Sequence, residues 1–350
     1  MQKVENFLIT DLDRTMIFSK RFYKDDEKLI PVEYKNGEVI SYMTEEALRI
    51  VKENVANIIP TTTRSLSEFQ RVEPFQSSEW AIVGNGSVVL HNGQPVEEWS
   101  ERINSLIDSL SDKYEFLIDW INSNFKDVLE RQATMVEGFI FAKIKEDSKM
   151  MVYQKLNSLN FSDWQFTIQK HKVYLMPKEV SKESAAEYVI QNLGESHRYF
   201  FAGDGVLDIG MLNLSTKFFK GCAFSPLGSE AQRSAAERNL TIVSPSVDGA
   251  EQILRNVFIQ DDSLAKTLLK LAKEGKVNRN CPGAVLGYIF TEKNSFSAER
   301  GDVNQYSLYK EMSWARFIHF LKNGGLEYFT KNVKRFGKKS KEDLERLLSK

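Results

Sequence analysis

Residues 7–15 read FLITDLDRT: an apolar strand that ends abruptly on Asp11 and Asp13, one residue apart, with Thr15 following. In an open parallel α/β sheet, ligands bind just beyond the carboxyl ends of the strands, so a strand end of this kind is where chemistry is placed. Side chains i and i+2 of a strand point the same way, which turns both carboxylates toward one small space. At about 5 Å and an effective dielectric near 20, two such charges repel by roughly 3 kcal/mol. A divalent cation that prefers oxygen ligands offsets that repulsion. A carboxylate pair on a hard cation at a strand end is an arrangement for handling phosphate. Arg14, one step out of phase, is read as pointing to the opposite face in a structural role.

The surrounding pattern sets the fold class. From Phe7 to about Gly86 the chain alternates between strand and helix patterns: FLIT, then TEEALRIVKENV at 44–55, ANIIPTT, SLSEFQRV and WAIVGNG. Thr44 is a natural N-cap, with Glu45 and Glu46 in the first turn. That alternation predicts an α/β, doubly wound parallel sheet. The long charged stretch 16–43 interrupts it. Residues 87–173 read differently, with a hairpin around Asn92-Gly93, a helical run ERINSLIDSLSDKYEFLIDWINSNF, a strand at 138–145, a helix at 148–159 and a closing strand pattern WQFTIQKHKVYLMP. This is an α+β unit inserted into the sheet. The α/β pattern resumes through 174–258, and residues 259–350 read as a helical C-terminal extension. The division is therefore 1–86 and 174–258 for the core, 87–173 for the insert and 259–350 for the extension.

Composition bounds the function classes. The net charge is −1, from 47 basic and 48 acidic residues, so no global field draws nucleic acid or membrane. No run of 18 apolar residues occurs, and MQKVENFLITDL leads straight into a strand, which predicts no membrane span, no signal peptide and a cytoplasmic protein. Cys222 and Cys281, without a CxxC or Cys/His cluster, give neither a disulfide framework nor a zinc site.

Four short motifs in order carry a family resemblance. DLDRT resembles DxDx(T/V), the first motif of the haloacid dehalogenase (HAD) superfamily. IIPTTTRS at 58–65 resembles the second, a strand ending in Ser or Thr. VSKESAAEYVI at 180–190 supplies the Lys of the third, and GDGVLD at 203–208 resembles the acidic fourth, GDxxxD. The insert between the second and third motifs is similar to a type C2 cap, and Asn85-Gly86 matches the NG that often precedes such caps. The subgroup most resembled contains sucrose-phosphate phosphatase and Cof-like enzymes. It implies a Rossmann-like HAD core with an α+β cap.

The resemblance implies an Mg²⁺-dependent phosphatase acting on a small phosphorylated metabolite, a sugar phosphate first. It assigns the nucleophile to Asp11, forming an aspartyl-phosphate, and general acid–base work to Asp13. Thr62 would bind a phosphoryl oxygen, with Thr61 and Thr63 as neighbouring alternatives. Lys182 would offset charge on the nucleophile and phosphoryl group. Mg²⁺ would be held by Asp11, Asp204, the backbone carbonyl of Asp13, and Asp208 directly or through water. Leu207 stands where many relatives have Asn, and Thr63 where they commonly have Gly. A mutase-type phosphotransferase and a non-catalytic binding protein using the cap and extension are the alternative classes.

Other features read more plainly. His171 and Lys172 precede the third motif and are read as a solvated strand end. Arg131, Glu137 and Lys143 lie on or near cap strands and are read as surface. His197 is read as capping a helix, and His319 as lying in an aromatic helical core stripe. The basic segment 331–350 is read as a solvated helix, with no nucleic-acid partner expected.

Overall fold

The computed structural model describes residues 4–22, 28–159, 162–217, 223–226, 228–234, 240–243 and 246–259. The expected helices of 259–350, with His319 and Cys281, lie outside the described residues, as does Cys222.

In chain order, β1 (Asn6–Thr10) is followed by the hairpin β2 (Leu29–Lys35) and β3 (Glu38–Thr44), then α1 (Glu45–Asn54), β4 (Ile58–Pro60) and the single turn α2 (Leu66–Phe69). Next come β5 (Trp80–Val83), β6 (Val88–His91), β7 (Gln94–Pro95), α3 (Glu97–Ser109) and α4 (Ser111–Asn124). The insert continues through β8 (Leu129–Val136), β9 (Phe139–Ile144), α5 (Lys149–Ser158), β10 (Trp164–Gln169) and β11 (Lys172–Pro177). The chain then forms α6 (Lys182–Leu193), β12 (Arg198–Ala202), α7 (Ile209–Lys217), β13 (Ala223–Pro226), α8 (Glu230–Ser234), β14 (Leu240–Val243) and α9 (Val247–Phe258).

Five strands form a parallel sheet in the order β14-β13-β12-β1-β4. Successive residues of β1 serve opposite layers. Phe7 and Ile9 pack with Ala186, Val189, Met211 and Leu212 of α6 and α7. Leu8 packs with Ile50 and Val51 of α1 and with Ile253 and Leu254 of α9. Burial on both faces is why this strand reads as continuously apolar. The chain leaves β1 toward β4 on one side and returns to β12 on the other. The β1/β12 boundary is therefore the topological switch point, where the open ends of the strands leave a crevice. Thr44 caps α1 as expected, accepting a hydrogen bond from Ala47 N at 3.1 Å.

A second, antiparallel sheet runs β10-β11-β9-β8. One face, carrying Ile140, Ala142, Val173 and Leu175, packs on Leu117 and Ile121 of α4 and Val152 and Leu156 of α5. From the other face Phe139, Tyr174 and Met176 join the core cluster with Trp99 and Ile103 of α3. The insert thus turns one sheet face toward the core. The single helix expected across 101–125 is two, broken at Leu110. The strand β8 has no counterpart in the sequence reading, because LERQATMV is largely polar and pairs with an irregular register. The charged stretch 16–43 supplies the β2–β3 hairpin, turning at Asn36-Gly37, both with positive φ. No helix among the described residues is long and apolar enough to cross a membrane.

Candidate active site

β1 ends at Thr10, and its last ladder contact is continued by Asp11 N donating to Ala202 O of β12 at 2.8 Å. That bond sets Asp11 beside the end of β12, from which Asp204 follows. Gly203 lets the loop after β12 fold tightly, since a Cβ there would lie 2.5 Å from Asp208 Cβ. Asp208 Oδ2 then accepts hydrogen bonds from the backbone N–H groups of Asp204 (3.0 Å) and Gly205 (2.8 Å). One oxygen each of Asp11, Asp204 and Asp208 lies within 4.8 Å of the others, and all three residues are buried.

Lys182 opens α6, whose N-cap is Ser181, accepting from Ser184 N. Its side chain is only 2% exposed, and Nζ lies 2.6 Å from both Asp11 Oδ1 and Asp208 Oδ1. Burial alone would lower the ammonium's pKa, but Asp11 and Asp208 more than reverse this and hold it well above its ordinary range. The start of α6 is seated on the loop after β5: a Cβ on Gly86, at φ +101°, would lie 2.2 Å from Ser181 O.

One lysine does not balance three buried carboxylates. Burial, with the charges of Asp208 and Asp13, pushes Asp11 up to about 7 against the pull of Lys182. Burial and the charges of Asp11 and Asp208 likewise push Asp204 up to about 8. Arg14 supplies further compensation, its Nη2 lying 2.9 Å from Asp204 Oδ2. This corrects the sequence reading of Arg14. The residue has φ +63°, so the strand alternation that would send it to the opposite face has already ended. An all-oxygen set of three clustered carboxylates, two of them unable to ionise cheaply without more positive charge, fits a hard divalent cation such as Mg²⁺.

Asp13 is placed differently from Asp11. Its side chain is 52% exposed and lies outside the three-carboxylate cluster. Arg64 donates to both its oxygens, from Nε and Nη2, each at 2.8 Å. Partial desolvation raises its pKa, but the two Arg64 hydrogen bonds outweigh that and hold the carboxyl below its usual range. Arg64 is anchored in turn by Glu33 of β2, donating to Oε1 at 2.7 Å and Oε2 at 3.0 Å. Glu33 is buried and also accepts from Ser41 Oγ at 2.7 Å. Neither Glu33 nor Arg64 was singled out from sequence.

The threonines separate by their hydrogen bonds. Thr61 donates its hydroxyl back to Ile59 O at 3.2 Å, whereas Thr62 Oγ1 accepts from Arg64 N at 3.1 Å. The Thr62 hydroxyl proton is therefore available to another acceptor. Among the described residues, the backbone N–H groups of Leu12, Asp13 and Thr63 have no acceptor. Unpaired donors of this kind beside a carboxylate cluster suit an oxyanion.

The insert reaches over these groups. Glu137, at the β8–β9 turn, accepts from Leu66 N at 3.0 Å, docking the insert on the segment that carries Thr62 and Arg64. At the β10–β11 turn, Gln169 Nε2 would lie 3.0 Å from a Cβ on Gly205. Lys172 acts electrostatically on Asp13, and Lys170 feels the charges of Arg21, Arg14 and Asp204. Lys172 is exposed at the start of β11, as expected of a solvated strand end, with its charge reaching Asp13. Lys170 was missed, although the Lys170-His171-Lys172 turn was a signal for it. His91 is stacked on Trp80 and His197 accepts from Glu5 N, leaving both in structural roles.

The chain matches no family model, and no curated protein matches it. Solved structures similar to it include a trehalose-6-phosphate phosphatase related protein, at 16% identity and TM-score 0.45, covering 71% of this chain and 95% of that one. A sucrose-phosphatase from Synechocystis sp. PCC6803, in complex with sucrose and phosphate, is 14% identical with TM-score 0.46, covering 71% and 96%. A HAD/Cof-like hydrolase from Plasmodium vivax is 14% identical with TM-score 0.44, covering 73% and 95%.

Proposed function

We propose that this chain is a HAD-type phosphatase: an Mg²⁺-dependent phosphomonoesterase that acts on a small phosphorylated metabolite, of the sugar-phosphate kind, through a phosphoryl group carried on Asp11. The observation that carries the reading is the buried Lys182 bridging Asp11 and Asp208 beside Asp204. Four side chains from three distant segments meet there, each of the type and in the order that the chemistry requires.

In the first half-reaction an Asp11 oxygen attacks phosphorus as the ester P–O bond breaks and the leaving oxygen takes a proton. In the second, water attacks the phosphoryl group, the Asp11–P bond breaks, and free phosphate leaves. Lys182 pulls Asp11 toward its ionised form against the effect of burial and offsets charge on the transferring group. Thr62 donates to a phosphoryl oxygen, and the N–H groups of Leu12, Asp13 and Thr63 take the others. Asp13 handles protons. Its clamp to Arg64 favours the carboxylate, the form that accepts a proton from the attacking water. Donation to the leaving oxygen requires the carboxyl to part from Arg64. Bound to Asp11, Asp204 and Asp208, Mg²⁺ would supply positive charge against the phosphoryl oxygens. The α+β insert serves as the cap that closes over the leaving group.

The test is phosphate release from a panel of sugar, nucleotide and cofactor phosphates with Mg²⁺, with chelator and Asp11→Asn as controls. Hydrolysis that needs both the metal and Asp11 supports the reading. No release from folded, metal-loaded protein across the panel overturns it.

A further inference from the structure

The face of the insert sheet turned toward the site is strongly basic, and its charges are unbalanced. Arg131 of β8, Lys143 of β9 and Lys172 of β11 are direct cross-strand neighbours: Arg131 pairs with Lys143, and Lys143 with Lys172. Directly paired residues share a sheet face. Ring contacts fix which face this is. Arg131 lies over Phe141 at 5.2 Å, and Phe141 meets Tyr174 at 5.4 Å. Tyr174 belongs to the cluster shared with the core. Gln169, paired with Lys172, ends the row against Gly205. Lys170 adds a fourth cation from the adjoining turn.

Like charges directly opposite one another destabilise a sheet, so such a row is expected to carry interleaved carboxylates. Residues 138–145 and 164–177 contain no Asp or Glu; Glu130 adjoins Arg131 in β8, and Glu137 at the β8–β9 turn accepts from Leu66 N. Among the described residues Arg131, Lys143, Lys170 and Lys172 form no ion pair, while Arg14, Arg64 and Lys182 below them all do. Burial and the charges of Arg21, Arg14 and Lys172 hold the Lys170 ammonium below its ordinary range, so the cations crowd one another. The approach of Gln169 to Gly205 sets the end of the row beside Asp204, and the charge of Lys172 is felt at Asp13.

Resting on the phosphatase reading above, we infer that the leaving group of the substrate carries its own negative charge, a second phosphate or a carboxylate, which the row Arg131–Lys143–Lys172 with Lys170 receives. A sugar bisphosphate or a phosphorylated sugar acid satisfies this; a monophosphate with an uncharged tail leaves the row unmatched.

Two substrate pairs in the Mg²⁺-loaded protein test the inference: a hexose bisphosphate against the matching monophosphate, and phosphoglycerate against glycerol phosphate. The doubly anionic member of at least one pair should have kcat/KM about 10-fold higher or more, with an advantage that shrinks as salt rises. Which pair responds identifies the second anion. Lys170→Ala with Lys172→Ala should bring the ratio toward one, and Lys172→Arg should keep it; a merely structural role would slow both members alike. Equal or better turnover of the uncharged-tail members in both pairs overturns the inference while leaving the phosphatase standing. If no ester is hydrolysed, the phosphatase reading fails, and calorimetric binding of the same pairs to Asp11→Asn protein judges the anion site separately. Tighter binding of a doubly charged member, by about 10-fold, supports it, and equal binding in both pairs overturns it.

Discussion

The Asp13–Arg64–Glu33 chain makes a sharp energetic prediction. Glu33 is 1% exposed at its side chain and Arg64 12%, so their paired hydrogen bonds are formed out of water. Removing one partner of a buried pair costs about 3–5 kcal/mol, because it strands the other charge. In Arg64→Met, Glu33 keeps only Ser41 Oγ at 2.7 Å and the Arg71 guanidinium, whose Nε lies 3.4 Å away. That residual compensation puts the loss near 3 kcal/mol, the lower end of the range. Glu33→Gln removes the charge but not the shape and leaves Arg64 its exposed partner Asp13, so about 2 kcal/mol is expected. In the double variant neither charge is stranded, and the combined loss should fall short of the sum by about 2 kcal/mol. Urea unfolding of the four proteins measures this coupling. Additivity within about 0.5 kcal/mol would refute the claim that Glu33 anchors Arg64.

Three other outcomes follow. Burial raises Asp11 and Asp204 from 3.8 to about 7 and about 8, so the folded chain holds protons that the unfolded chain has lost. Without metal, stability should fall as pH rises from about 4 to 8, and the increase in Tm on adding Mg²⁺ should be larger at the top of that window than at its foot. An equal increment throughout would contradict this. Thr62→Val should lower kcat/KM by about 10- to 100-fold and Thr61→Val only slightly, since the Thr61 hydroxyl is spent on Ile59 O; steady-state kinetics decide. Gly86→Ala places a Cβ 2.2 Å from Ser181 O at φ +101°, so a loss of about 2 kcal/mol or more in urea unfolding is expected, with slower turnover as Lys182 moves.

Much of this arrangement was legible in local sequence. The strand before Asp11, the Thr44 cap, the Asn92-Gly93 turn and the five acidic or basic motif positions each announce themselves within a few residues. What escaped depends on contacts across the chain or on broken periodicity. Glu33 looks like one more charge in a polar stretch. It is buried next to Val32 because register irregularities in β2 at Pro31, Glu33 and Tyr34 suspend the two-residue alternation. Arg14 escaped for a similar reason, its positive φ ending the strand pattern at the point where it had been extrapolated. The Asp13–Arg64 pair joins two motifs that local spacing treats as independent. The basic row of the cap sheet needs the β8–β9–β11 register, and β8 carried no strand pattern to reveal it.

A covalent phosphoryl group on Asp11 can be looked for directly. Mg²⁺-loaded protein turning over a preferred phosphate ester is quenched in acid within milliseconds, and its peptides are weighed. One acid-stable, hydroxylamine-labile phosphoryl group is expected on the peptide containing Asp11, lost in Asp11→Asn together with phosphate release. Hydrolysis that persists in Asp11→Asn, or a phosphoryl group found on another residue, would contradict it.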